Sequence, residues 1–279
     1  MSYQNFIPTI WNEMINRELE RKCVFTEDCN RQYEGDVKQK GDSVRILGVG
    51  KPTITDTTDK DIVLSAPEKV EDSSVTLQVN QISYFNYKID DIDKRQAVGG
   101  VMEALQAETT EGLANKMDRY VANLAKGKDA MLDEAVAYQL TKENVLEKVD
   151  AALQKLYERD VQPSTKITIT CSPRFYFILK RAYTELDTDN SKILQNGRVG
   201  RYGNVIVKMS NNVATMENGA VDRIMIRTDR AIAFVNPMTH TEPYRVERGF
   251  SDAVKGFVLY DAKIVRPKEL IVMNVKYTA

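Results

Sequence analysis

The chain has 279 residues, 42% hydrophobic and 28% charged, so it is long enough for one large or two modest domains and too apolar for a disordered chain. Its 39 Lys and Arg against 40 Asp and Glu give a net charge of −1, without the basic excess of a strong phosphate binder. Apolar runs such as Ile224 to Ile226 or Ala231 to Val235 fall far short of the roughly 20 residues a membrane-spanning helix needs, so no membrane partner is expected.

Met1 to Trp11 carries no positively charged segment followed by an apolar stretch and a small-residue cleavage site, which points to folding in a cytoplasm. Pro8 suits the first turn of a helix running to about Val24, with Ile10, Trp11, Met14, Ile15, Leu19 and Cys23 as a stripe that needs a partner surface. Cys23, Cys29 and Cys171 are an odd set with no C-x-x-C pair. Cys23 and Cys29 could close a short disulfide if oxidised, but they are read as reduced, buried thiols.

Turns at Tyr33-Glu34-Gly35-Asp36 and Lys40-Gly41-Asp42 lead into a strand from Ser43 to Leu47. Gly50-Lys51 is no phosphate loop, since Arg45 stands where a glycine is needed and Pro52 where a hydroxyl is needed. From Lys51 to Ser74 the chain is rich in Thr, Asp and Lys, with too few apolar residues for a core of its own. It reads as a long protruding hairpin that lies on something else, an intersubunit arm being one use; a disordered surface loop is the alternative. An alternating strand, Ile82 to Ile89, then meets Asp90-Asp91-x-Asp93. These carboxylates could hold a divalent cation, but at the start of a helix they are read as caps that satisfy orphan amides and favour the helix dipole.

The strongest helix signal runs from Asp91 to Lys126, with Val98, Val101, Met102, Leu105, Leu113, Met117, Tyr120, Val121 and Leu124 at three- and four-residue spacing. At 1.5 Å per residue it spans about 54 Å, which implies an elongated or flat protein. A helix from Thr141 to Arg159 follows, then a strand from Lys166 to Cys171. Ser172-Pro173 caps and opens a helix through Tyr183, and the polar stretch Asp187 to Asn196 is a loop. Gly197, Gly200 and Gly203 precede a strand and do not open a helix, so they are turn glycines, not a dinucleotide fingerprint. Strands are expected at Asn204 to Met209, Arg223 to Arg227, Ala231 to Val235, Pro243 to Arg248, Lys255 to Val265 and Leu270 to Val275. His240, the one histidine, falls in the turn-like Asn236-Pro237-Met238-Thr239-His240 and is read as a loop residue. With no second imidazole, Ser-His-Asp, Cys-His and two-histidine zinc schemes lose a partner.

The order of elements resembles the major capsid proteins of tailed bacteriophages, whose fold is named after phage Hong Kong 97. The resemblance covers nearly the whole chain. It rests on the Trp11 helix, Tyr33-x-Gly35 before Gly41-Asp42-x-Val44-x-Ile46, and Phe85-Asn86-Tyr87-Lys88-Ile89-Asp90-Asp91-Ile92-Asp93-x-x-Gln96-Ala97 entering the long helix. Gly200-x-x-Gly203-x-x-Ile206-x-x-x-Ser210-Asn211 and Gly256-x-x-x-Tyr260-Asp261-Ala262-Lys263-Ile264-Val265-x-Pro267 follow in the same order.

The resemblance implies an α+β, Hong Kong 97-like fold. Its parts are an N-terminal arm (1–35), an extended hairpin loop (36–79), a peripheral domain with a spine helix (80–138 and 230–279) and an axial domain (139–229). It implies a structural shell protein, no enzyme and no cofactor, assembled from pentamers and hexamers of itself in a host bacterial cytoplasm into a virion that encloses double-stranded DNA. A portal is a further expected partner; and since the arm helix begins within about ten residues of Met1, where some family members start with a long helical scaffolding segment, either a separate scaffolding protein exists, which Met1 favours, or an N-terminal segment was cleaved. Near-neutral charge fits a wall that confines DNA without strong or sequence-specific binding. An encapsulin-type nanocompartment packaging an enzyme is the nearest alternative, and a metal-dependent enzyme using Asp90, Asp91 and Asp93 the distant one. Candidate inter-subunit residues are Trp11 on the arm and Lys51, Asp56, Asp59, Lys60, Asp61, Glu68 and Lys69 on the loop. The loop also carries Glu71 and Asp72, and this acidic excess predicts a basic receiving surface, on the spine helix or near Arg174, Lys180 and Arg181. Some family members crosslink a loop lysine to a neighbour's asparagine; nothing marks Lys51, Lys60 or Lys69 as activated, and no crosslink is expected.

Overall fold

A computed structural model describes residues 22–36, 39–49, 72–90, 101–184, 200–246 and 251–277. Three sheets are seen among them. β1 (Ser43–Val49) and β2 (Asp72–Gln78) form an antiparallel pair, joined by residues 50–71, which lie outside the described set. β3 (Gln81–Asp90) pairs with β11 (Ser251–Ile264), which pairs in turn with β10 (Ile232–Arg245), making a three-stranded antiparallel sheet. The largest sheet is mixed and seven-stranded, in the order β4 (Tyr138–Leu140), β12 (Leu270–Tyr277), β9 (Val221–Thr228), β5 (Ile167–Cys171), β7 (Val205–Met209), β6 (Arg201–Tyr202), with β8 (Ala214–Met216) also on β9.

Helix α1 (Val101–Asn123) continues as one 3-10 turn through Lys126. Leu113, Ala114, Met117 and Val121 are its buried stripe, as the three-and-four spacing requires. The segment 91–100, where the expected helix begins, lies outside the described residues. α2 (Val145–Tyr157) and α3 (Pro173–Thr184) pack together, and Val149, Leu153 and Leu156 of α2 and Phe175 and Leu179 of α3 join the core of the seven-stranded sheet. α2 starts four residues later than expected. Thr141 donates its N–H to Asn144 Oδ1 at 2.8 Å and Asn144 Nδ2 donates to the Gln139 carbonyl at 3.0 Å, so a side-chain turn holds the segment that would have been the first helical turn. α3 opens as expected, with the Phe175 N–H donated to Ser172 Oγ at 3.4 Å.

The stretch 236–240 is not a turn. It continues β10, which runs unbroken as one strand from Ile232 to Arg245 with a register irregularity between Val235 and Met238. Pro237 has no N–H to offer the ladder, so the strand bulges there and resumes against β11. His240 therefore sits exposed on a strand, its ring 5.8 Å from that of Phe257. β6–β7 is the turn that Gly200 and Gly203 announced; Gly203 has φ +57°, a left-handed conformation that glycine adopts without strain. Gly197 and the expected loop 187–196 are outside the described residues.

Candidate inter-subunit surfaces

Residues 22–30 enter the subunit almost without sheet structure, through one parallel bridge of Asn30 with Ala233. Side chains from distant elements hold them instead. Asp118 on α1 accepts the N–H groups of Val24 on Oδ2 (2.8 Å) and of Phe25 and Thr26 on Oδ1 (3.0 and 3.2 Å). Arg227 on β9, fully buried, donates to the carbonyls of Phe25 (2.5 Å) and Asp28 (2.9 Å) and to Cys29 Sγ (3.1 Å). Asp28 pairs with Lys166 ahead of β5 and Lys208 on β7, each at 2.6 Å, and Lys208 also meets Glu27 at 2.6 Å. Burial raises the cost of charging Asp28, but hydrogen bonds and charge from Lys166 and Lys208 outweigh it and hold the carboxyl below its ordinary range. For Asp118 the balance reverses: burial wins over the three backbone N–H groups and Arg227, and its pKa is raised. Cys23, Cys29 and Cys171 are free and buried; burial pushes Cys23 and Cys171 up to about 12, and raises Cys29 against the pull of Arg227.

The hairpin root is tied separately. Gly41 N–H donates to the Val79 carbonyl (2.9 Å) and Val79 N–H to that of Asp42 (3.1 Å), while Lys263 Nζ reaches the Thr76 carbonyl (2.8 Å) and Asn80 N–H donates to Asp261 Oδ2 (3.1 Å). Ile46, Leu77 and Val79 pack on Ala233, Val235 and Leu259, a second core distinct from the main one. Between this root, the end of α1 and β11 lies a cavity of about 550 Å³, lined by Gln78, Asn80, Tyr120, Asp129 and Asp261 among others. Beyond the root the three-stranded sheet is open on one face: Tyr84 is 82% and Ile82 42% exposed, and side-chain contacts such as Tyr244 OH to Asn86 Oδ1 (3.0 Å) and Lys255 to Glu242 (3.2 Å) cross it. The other face carries Ser83, bonded to Tyr260 OH at 3.1 Å, and Tyr260 packs edge-on against Tyr120 of α1.

Of the residues singled out in the sequence, Trp11, Lys51, Asp56, Asp59, Lys60, Asp61, Glu68, Lys69, Asp91 and Asp93 lie outside the described residues. Asp90 is the last residue of β3, opposite Ser251. Among the described residues no group of His, Cys, Asp and Glu is placed to hold a metal ion. Arg174, Lys180 and Arg181 all fall on α3, which has no acidic residue, and Arg174, Arg181 and the 53% exposed Phe177 point outward. α1, by contrast, carries Glu103, Glu108, Glu111 and Asp118 against Lys116 and Arg119. The sequence reading missed Asp118 and Arg227. Both carried a signal: Asp118 is a carboxylate next to the buried stripe position Met117, and Arg227 a charge following the apolar Ile224-Met225-Ile226.

No helix among the described residues is long and apolar enough to cross a membrane. No protein-family model matches the sequence, and no curated protein matches it. Solved structures do match its fold. A chain from Mycobacterium phage Che8 is 24% identical, with 90% of each chain covered and a TM-score of 0.74. A chain from the capsid of the cyanophage P-SCSP1u is 12% identical over 92% of this chain and 89% of that one, at a TM-score of 0.70. A virus-like particle from Pyrococcus furiosus is 9% identical, covering 98% of this chain and 100% of its own, at 0.60. The chain thus has the α+β fold of Hong Kong 97-type capsid proteins, over nearly its full length.

Proposed function

We propose that the chain is a major capsid protein that self-assembles, through pentamers and hexamers, into an icosahedral bacteriophage head enclosing double-stranded DNA. The observation that carries this reading is the near-complete, two-way overlap in fold with a phage capsid chain, 92% of this chain on 89% of that one. In this reading the protein is not an enzyme and takes no cofactor. Residues 1–35 are the arm, 36–79 the extended loop, 80–138 with 230–279 the peripheral domain around α1, and 139–229 the axial domain. The arm and loop reach other copies, a repeated heterologous contact that closed symmetry turns into rings and a shell. A scaffolding protein and a portal are the further partners, and assembly takes place in the host bacterial cytoplasm.

The acidic loop, with Asp56, Asp59, Asp61 and Glu68, finds its receiving surface on α3 of a neighbour, where Arg174, Lys180 and Arg181 stand on a helix free of acidic residues. Lys51, Lys60 and Lys69 temper that charge, and Trp11 anchors the arm. Charge reversal at Asp59 and Asp61 is expected to weaken assembly and flatten its salt dependence; unchanged assembly rules the pairing out.

Light scattering on the purified protein, followed by negative-stain electron microscopy of the heavy fraction, tests the main reading. Hollow shells or five- and six-membered rings support it, and a stable compact monomer under all salt and crowding conditions overturns it. A second, less supported reading is an encapsulin-type nanocompartment packaging an enzyme, kept because one fold match is to a virus-like particle from Pyrococcus furiosus. Nucleic acid or a single packaged enzyme inside isolated particles separates the two.

A further inference from the structure

The arm root, residues 22–30, is buried like core yet belongs to no sheet. Phe25 is 0%, Cys23 3% and Cys29 8% exposed, and the segment's backbone is held by Asp118, Arg227 and the single Asn30 bridge. The side chains that hold it come in two layers. The inner layer is Asp118 and Arg227, 2% and 0% exposed: Asp118 accepts backbone N–H groups of 24–26, and Arg227 donates to the Phe25 and Asp28 carbonyls and to Cys29 Sγ. The outer layer is ionic and meets water: the buried Asp28 carboxylate is gripped by Lys166 and Lys208, whose side chains are 45% and 20% exposed, and Lys208 is shared with Glu27 at 58%. Three acids, Glu27, Asp28 and Asp118, thus meet three bases, Lys166, Lys208 and Arg227, drawn from the arm root, α1, the approach to β5, β7 and β9.

The layers respond differently to the surroundings. Ion pairs that reach solvent are screened by salt and lose part of their strength when one partner is removed, whereas buried hydrogen-bonded groups are barely screened. Once Asp28 loses its lysines it is a buried charge without a cation among the outer groups, and its cheapest relief is to turn out into water. The whole segment must then follow, because Asp28 is flanked by the carbonyls that Arg227 holds and by the Phe25 and Cys29 plugs.

We propose that the Asp28–Lys166–Lys208–Glu27 cluster is a latch: its closure holds residues 22–30 against α1, β7 and β9, and its opening frees them as a local unit while the seven-stranded sheet stays folded. Local opening units of this kind have free energies below that of global unfolding. The proposal does not require that shells form, and it is tested on the unassembled full chain.

The test is amide hydrogen exchange on the wild type and on the double variant Lys166→Met/Lys208→Met. The reporters are the N–H groups of Val24, Phe25 and Thr26, bonded to Asp118, against the Val272 N–H of β12, bonded to the Met131 carbonyl at 2.8 Å. A latch predicts that exchange at 24–26 rises at least tenfold in the variant while Val272 keeps its protection, and that raising salt moves the wild type the same way. Alkylation adds a second readout: Cys23 and Cys29 become reactive in the variant before Cys171 does. Unchanged exchange at 24–26, or an equal rise at Val272, overturns the proposal, the first because the ion pairs hold nothing and the second because no separate unit exists. Should the double variant not fold, the salt series on the wild type and the single variant Glu27→Gln carry the same two outcomes.

Discussion

The seven-stranded sheet and the three-stranded sheet solve the problem of burial in opposite ways. The first is covered by its own α2 and α3: β5 is buried at every position, as are the first six residues of β12, from Leu270 to Val275. The second is covered by α1 and the arm root on one face and leaves Tyr84 and Ile82 in water on the other. A half-covered antiparallel sheet is stable when its open face is polar, and this one is polar at Asn86, Lys88 and Lys255 but aromatic at Tyr84. The difference separates a sheet whose burial is complete within the chain from one that leaves an aromatic face in water.

Substitutions grade this contrast. The largest loss is expected for Arg227→Met, which takes the Arg227 donor from the Asp28 carbonyl, leaves the Phe25 carbonyl only the Cys29 thiol at 3.3 Å, and removes the cation near Asp118; about 3–5 kcal/mol is expected from breaking such a buried charged cluster, read as a shift in the denaturant midpoint at constant slope. Leu156→Ala, at a fully buried position between α2 and the large sheet, should cost about 2–5 kcal/mol by the same measurement. Gly256→Ala probes the small sheet at its tightest point, where an added Cβ would stand 2.5 Å from Phe85 Cζ and 2.6 Å from the His240 carbonyl oxygen; overpacking of this kind costs about 1–3 kcal/mol. Tyr84→Ser should change subunit stability by no more than about 0.5 kcal/mol while lowering the yield of assembled particles, and equal yield would remove the open face from the assembly contacts.

A pH titration sharpens the contrast without mutation. Asp28 has a folded pKa below its unfolded value, so its contribution is present at neutral pH and is lost as pH falls below the ordinary carboxylate range toward the folded value. Acid should therefore loosen the arm root, seen as faster amide exchange at Val24, Phe25 and Thr26, and the Lys166→Met/Lys208→Met variant should lose this acid step.

Much of this architecture was legible because it is local. The stripe through Leu113, Met117 and Val121, the cap at Ser172-Pro173 and the alternation from Ile82 to Ile89 are patterns within a dozen residues, and each produced the expected element. What stayed hidden is set at long range. β4, β6 and β8 are two or three residues each and exist only because β12, β7 and β9 accept them. Pro237 reads as a breaker until β11 is alongside to carry the strand past it. The arm-root clamp is the extreme case, since nothing near Phe25 or Asp28 in sequence announces that Asp118, Lys166, Lys208 and Arg227 will converge on them.

The placement of β12 between β4 and β9 has a consequence for biosynthesis. A ribosome delivers the arm root, α1 and both helices of the large sheet well before it delivers residues 270–277, yet the sheet that receives them stays split until that strand arrives. Until then β4 has no partner on its inner side and the 131–133 segment lacks the Val272 groups it bonds. Completion of the large sheet is therefore among the last steps open to a chain made from its N-terminus, and the early-made segments must wait for a partner far away in sequence.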